Sequence, residues 1–138
     1  MSFGLLFLCT GNSCRSQMAE GFGRAVFDDR ATVFSAGIDP VGVNPRAVTA
    51  MAEVDIDIRG QLSKSVDDVP LNQIDLVVTL CGDAAERCPT IPGAKSEHWP
   101  LTDPAKATGT DAQITAAFRD VRDEILERVT ALDERLGV

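Results

Sequence analysis

Short apolar runs of strand length alternate along this chain with longer segments whose apolar residues recur every three or four positions. Parallel strands cannot be joined by a tight turn and need a crossover, usually a helix, so this alternation points to a parallel sheet wrapped by helices. Phe3–Leu8 reads as a buried strand, and Arg15–Phe27 as a helix with Met18, Phe22 and Val26 on one face. Gly21 and Gly23 weaken that helix by ~1 kcal/mol each relative to alanine, so packing must hold it. Thr32–Ala36 reads as a second strand closed by Gly37, and Asn44-Pro45 as a cap followed by proline at the first helical position, with Val48 and Met51 as the apolar stripe. Asp75–Leu80 contains the nearly continuous apolar run of a central parallel strand, and Lys95–Trp99 a shorter fourth. Thr110 and Gln113 form a capping-box pattern, after which Ile114, Phe118, Val121, Ile125, Val129, Leu132 and Leu136 mark one long helix. The order β-α-β-α-β-(α)-β-α predicts an α/β three-layer sandwich with helices on both faces. No repeat or linker interrupts residues 1–138, which read as a single domain.

Thirteen Lys plus Arg against 21 Asp plus Glu leave a net charge of −8. That balance argues against broad nucleic-acid binding and against docking on an anionic membrane, so any anion must be caught by local geometry. No apolar run approaches the ~20 residues of a membrane span. The apolar opening Met1–Leu8 lacks a basic flank and is short for a secretion signal, so a cytoplasmic location is expected. Cysteines there stay reduced unless redox is their task. Cys9, Cys14, Cys81 and Cys88 contain no Cys-x2-Cys knuckle and His98 is the sole histidine, so no zinc site and no cofactor are expected.

The chemistry concentrates between the first strand and the first helix, in Cys9-Thr10-Gly11-Asn12-Ser13-Cys14-Arg15-Ser16. A strand–loop–helix junction aims several backbone N–H groups at one point and adds the positive end of the helix, which makes an oxyanion cradle of residues 10–15. Five residues separate Cys9 from Arg15, so the loop can curl with the sulfur at its bottom and the guanidinium forking two oxygens of a tetraoxyanion. The same groups favour a thiolate nucleophile at Cys9, and Ser16 is placed to donate a hydrogen bond to it. Gly11 allows a close turn and Asn12 can tie the loop to itself. Cys14 reads as structural or incidental, His98 and Trp99 as strand packing, and Glu20 and Glu97 as solvated or one step removed from the site.

The apolar strand, Cys-Thr-Gly-Asn-Ser-Cys-Arg-Ser-Gln-Met-Ala-Glu, Ser35-Ala36-Gly37, Asn44-Pro45 and Asp103-Pro104 together resemble the low-molecular-weight tyrosine phosphatases over essentially the whole chain. Cys81, Cys88-Pro89 and His98-Trp99 make it most similar to the thioredoxin-coupled arsenate reductases of that family. The resemblance implies a four-stranded parallel sheet of order 2-1-3-4. Neighbouring strands lie ~4.8 Å apart, so Cys9 and Cys81, each ending one of two neighbouring strands, would come within disulfide reach. Cys88 lies seven positions further on; were the intervening segment helical, the two would be ~10 Å apart, and a Cys81–Cys88 bond would require that helix to unwind.

The mechanism so implied begins with attack of Cys9 on arsenate, Asp103 protonating the departing oxygen. Cys81 then attacks Cys9 with release of arsenite, and Cys88 attacks Cys81, leaving a disulfide for thioredoxin to reduce. Mycothiol or a glutaredoxin could stand in for thioredoxin. Phosphate and sulfate would compete with arsenate, and a monomer is the default. Some relatives of this type hold potassium beside the loop with residues matching Asn12, Glu20 and Ser35. The remaining positions fall near Leu62 and Lys64, which are unsuited, so no metal is expected here. Blander readings make Cys81 a core residue, Cys88 an incidental thiol and Asp103 a turn residue. Two other functions stay open: a tyrosine phosphatase, although the chain has no Tyr and Asp103-Pro104 is followed by Ala105–Gly109 with no aromatic wall, and a non-enzymatic redox or oxyanion sensor.

Overall fold

A computed structural model describes residues 3–80, 91 and 93–138. Four parallel strands, β1 (Phe3–Cys9), β2 (Ala31–Gly37), β3 (Leu76–Thr79) and β4 (Lys95–His98), form one sheet in the order β2-β1-β3-β4. β1 is therefore interior and is buried over its last six residues. The fourth strand, on the edge, ends one residue earlier than expected, and Trp99 continues from it into the core against Phe7, with ring centroids 5.8 Å apart. The segment between Leu80 and Ile91, where one helix was anticipated, lies outside the described residues.

β1 alternates between two cores, as strand geometry requires. Leu5, Phe7 and Cys9 face a cluster with three helices, α1 (Arg15–Phe27), α2 (Pro45–Ala52) and α3 (Asp111–Leu136). Leu6 and Leu8 face a second cluster with Val66, Val69, Ile74, Val77 and Ile91, supplied in part by short 3-10 turns at Val66–Asp68 and Leu71–Gln73. The Asn44 side chain caps α2 by accepting from Arg46 N–H, and Pro45 occupies the first helical position. Thr110 and Gln113 cap α3 reciprocally, and Phe118, Val121, Ile125, Val129 and Leu132 of its stripe are buried.

The glycines of α1 have a packing reason. A Cβ at Gly23 would lie 3.0 Å from Val33 and 3.1 Å from Phe7, and one at Gly21 would lie 2.8 Å from Ile58. Both let α1 sink closely between the sheet and the segment that follows α2. The helix is accordingly buried without a break from Arg15 to Gly23, Gln17 and Glu20 included. Of the two readings of Glu20, solvated or one step removed from the site, its burial rules out the first. An amphipathic stripe forecasts one buried side, whereas α1 begins enclosed on all sides.

α2 is tied to α3 by Glu53, which accepts from Arg119 and from Arg122, the latter also donating to the Ala50 carbonyl. Chiefly through the Arg119 hydrogen bonds, Glu53 is held down at about 2, against an ordinary 4.5. A carboxylate depressed in the fold stabilises it fully above its unfolded pKa, and that stabilisation is lost as pH falls through the folded one. Acid unfolding should therefore steepen between pH 4.5 and about 2. Glu53→Gln should flatten that limb, measured by urea midpoints across the interval; an unchanged slope would show that Glu53 does not carry it.

Candidate active site

The β1–α1 junction places Cys9 at the carboxyl edge of the sheet, where open α/β sheets hold their ligands. The loop curls because its carbonyls are taken up from outside. Those of Cys9, Thr10, Gly11 and Ser13 accept from the backbone N–H groups of Ile38, Asp39, Val41 and Asn44, and that of Cys14 from Met18 N–H. The Asn12 carbonyl accepts from Gln17 Nε2. In a trans peptide the N–H of the next residue points opposite to the carbonyl. Outward carbonyls at Thr10, Asn12, Ser13 and Cys14 thus turn the N–H groups of Gly11, Ser13, Cys14 and Arg15 toward the inner side. There lies a cavity of about 500 Å³ lined by Cys9, this loop, Val41, Asp103 and Lys106.

Asn12 is the knot. It is fully buried and holds a left-handed backbone, φ +45°, which asparagine tolerates better than most residues. Its Oδ1 accepts from Lys64 N–H at 2.8 Å, which fixes the otherwise ambiguous orientation of the amide. Nδ2 must then donate both its hydrogens, to Ser16 Oγ at 2.9 Å and to Ser35 Oγ at 3.0 Å. Ser35 passes its own hydrogen to Glu20 Oε1. Ser16 Oγ, already an acceptor from Asn12, lies 3.0 Å from Cys9 Sγ, and its one hydrogen is free to turn to the sulfur. Gly37 closes this knot: a Cβ there would stand 2.7 Å from the Thr10 carbonyl oxygen and 2.8 Å from Asn12 N.

Arg15 closes the loop with its guanidinium largely buried. Nη1 donates to the Leu101 carbonyl at 3.0 Å and Nη2 lies 3.4 Å from Asp103 Oδ2. Its Nε–H is buried with no partner among the described residues, and a buried donor of that kind calls for an anion or a water. Asp103 is a turn residue as well as a site residue: Oδ1 accepts from Ala105 N–H to cap a 3-10 turn while Oδ2 faces Arg15. Burial pushes the Cys14 thiol up to about 12, so it stays protonated near neutrality, unlike a working nucleophile.

The structure thus brings together Cys9, Thr10, Gly11, Ser13, Cys14, Arg15 and Asp103 around one cavity, with Asn12 and Ser16 directly behind it. Cys81 and Cys88 lie outside the described residues; the described part of the β3 segment reaches Leu80, whose N–H donates to the Leu8 carbonyl, one residue before Cys9. Sequence reasoning passed over Gln17 and the part played by Lys64. A glutamine two positions after Arg15, in a helix that must pack, was a signal for the first. Lys64 entered only as a residue unsuited to a potassium site; its backbone bond to Asn12, 52 positions away along the chain, carried no signal.

The model of the low molecular weight phosphotyrosine protein phosphatase family matches residues 4–137, and the chain belongs to that family of enzymes. Within it, the chain resembles proteins named arsenate reductase. That of Bacillus subtilis is 55% identical over 131 residues, covering 94% of each chain. An arsenate reductase solved in a phosphate binding state superposes with a TM-score of 0.83 at 36% identity, over 96% of this chain and 98% of that one. A thioredoxin-dependent arsenate reductase of Corynebacterium glutamicum matches with a TM-score of 0.78 at 25% identity, over 99% of this chain and 62% of the other. Among the described residues, no helix is long and apolar enough to cross a membrane.

The contrast between the two loop cysteines can be read directly. Brief iodoacetamide treatment near pH 7.5, followed by peptide mass mapping, should label Cys9 and spare Cys14. Equal labelling of the two would contradict the hydrogen-bond polarity derived for Cys9 and the burial of Cys14.

Proposed function

We propose that this protein reduces arsenate to arsenite with Cys9 as the nucleophile, Cys81 and Cys88 as the disulfide relay and thioredoxin as the reductant. The observation that carries the reading is the Cys9–Ser16–Asn12 chain beneath a cavity rimmed by Arg15, since it joins an activated sulfur to a tetraoxyanion cradle. The similarity to proteins named arsenate reductase selects arsenate among the tetraoxyanions, and the thioredoxin-dependent relative supports the reductant.

Cys9 attacks arsenic, forming an S–As bond as one oxygen leaves as water. The Nη2 contact holds the Asp103 carboxyl beside the cradle, in a position to deliver the proton that departing oxygen needs. Inward N–H groups and the Arg15 guanidinium offset the charge on the remaining oxygens. Cys81 attacks Cys9, the S–As electron pair goes to arsenic, and arsenite leaves. Cys88 attacks Cys81 and expels Cys9 as thiolate. Thioredoxin supplies two electrons by exchange at Cys81–Cys88. Cytoplasmic placement and action as a monomer, the default, complete the reading.

Arsenate-dependent NADPH oxidation, coupled through thioredoxin and thioredoxin reductase, tests this function. Wild-type protein should sustain turnover, and Cys88→Ser should release about one arsenite per chain and stop. Hydrolysis of an aryl phosphate without arsenate turnover would favour the phosphatase; sustained turnover by Cys88→Ser would remove the relay.

A further inference from the structure

Beneath the loop, on the side away from the cavity, lies a buried anion with an unequal set of partners. The Glu20 side chain is only 2% exposed. Oε2 pairs with Arg24, whose own side chain is 60% exposed. Oε1 accepts from Ser35 Oγ and has the Lys64 ammonium at 3.7 Å. Nζ of Lys64 also donates to the Leu62 carbonyl at 3.2 Å. A solvated surface arginine compensates a buried carboxylate weakly, because water screens it. Lys64, 24% exposed and on the oxygen that Ser35 shares, is the cation that faces the network.

We infer that the Lys64 side chain is a positioning residue for the nucleophile: its ammonium offsets the Glu20 charge and so keeps the Ser35–Asn12–Ser16 chain polarised toward Cys9. The inference rests on Cys9 being the nucleophile proposed above. Ser35 has one hydrogen to give. As long as Glu20 Oε1 takes it, the Ser35 oxygen remains an acceptor for Asn12 Nδ2. Asn12 then spends one amide hydrogen on each serine, and Ser16 turns its hydrogen to the sulfur. Lys64 acts on Asn12 through two separate groups. Its backbone N–H fixes the amide orientation, whatever side chain it bears; its ammonium supports the carboxylate at the far end. A side-chain substitution therefore removes the charge and leaves the backbone hydrogen bond in place.

A second observation makes the charge testable apart from the lysine. Glu20, Leu62 and Lys64 line an open cleft of about 440 Å³ on the surface. Without the ammonium, this cleft gives a small cation access to the Glu20 carboxylate and the Leu62 carbonyl.

The experiment follows the rate of Cys9 alkylation by iodoacetamide, mapped by mass, alongside arsenate turnover. In tetramethylammonium buffer free of small cations Lys64→Met should lower both by about tenfold or more, the scale on which residues one step behind a reactive group act. Ammonium or methylammonium chloride should restore most of the loss. Tetramethylammonium at the same ionic strength, too large and without N–H donors, should not, and none should alter the wild type. Lys64→Arg, which keeps the charge, should stay near the wild-type rate. A wild-type alkylation rate in folded Lys64→Met overturns the inference, and so does a loss that neither small amine relieves. Should Lys64→Met fail to fold, Lys64→Gln takes its place, and a wild-type alkylation rate in that folded variant overturns the inference. Alkylation needs no arsenate, so wild-type protein that alkylates normally but releases no arsenite would defeat the arsenate reading and leave Lys64 to be judged on its own.

Discussion

The hydrogen bond from Lys64 N–H to Asn12 Oδ1 decides more than its 2.8 Å suggests. Asparagine offers donors and an acceptor on one planar head, and reversing that head reverses every bond beyond it. Once Oδ1 is occupied by a backbone donor, Asn12 must donate to Ser16 and to Ser35, and Ser35 donates on to Glu20. The segment that supplies this donor is itself held by β2: Gly37 pairs with Ser65, and Gly37 N–H donates to the Lys64 carbonyl. The sheet thereby orients the hydrogen bonds around Asn12 from the side opposite the cavity.

A buried polar chain of this sort stabilises a fold only when every member is satisfied, and is costly otherwise. Here the chain is satisfied end to end. Gln17 spans from the Asn12 carbonyl to that of Leu62 and accepts from Gln61, and Glu20 receives Ser35 and two cations. That explains why α1 buries glutamine and glutamate in its first turns. The exception sits on the cavity side: Arg15 Nε keeps a buried donor without a partner among the described residues. Polar satisfaction behind the loop and an unmet donor within it are the two halves of an oxyanion site.

Much of this was legible in the sequence. The continuous apolar runs of β1 and β3 and the 3.6 periodicity of the long C-terminal helix mark these elements, and each forms where it was read, β3 one residue shorter at either end. The Cys9–Ser16 loop was legible because a strand, a tight curl and a helix start must follow one another for its chemistry to work. What was not legible depended on contacts across the chain. The burial of Glu20 follows from glycines that let α1 sink inward, and the importance of Lys64 from a contact 52 positions away in a loop. Asp103 read as an acid or, less strongly, as a turn residue; one of its oxygens caps a turn while the other faces Arg15.

The central claim is that electrons reach the oxyanion bound over Cys9 from protein sulfur. Protein reduced beforehand, treated with arsenate in the absence of any other thiol and then alkylated and peptide-mapped, tests it in one step. A disulfide joining residues 81 and 88, with Cys9 alkylated and one arsenite released per bridge, is the predicted result. Arsenate-treated protein with all three sulfurs alkylated and no bridge would contradict it.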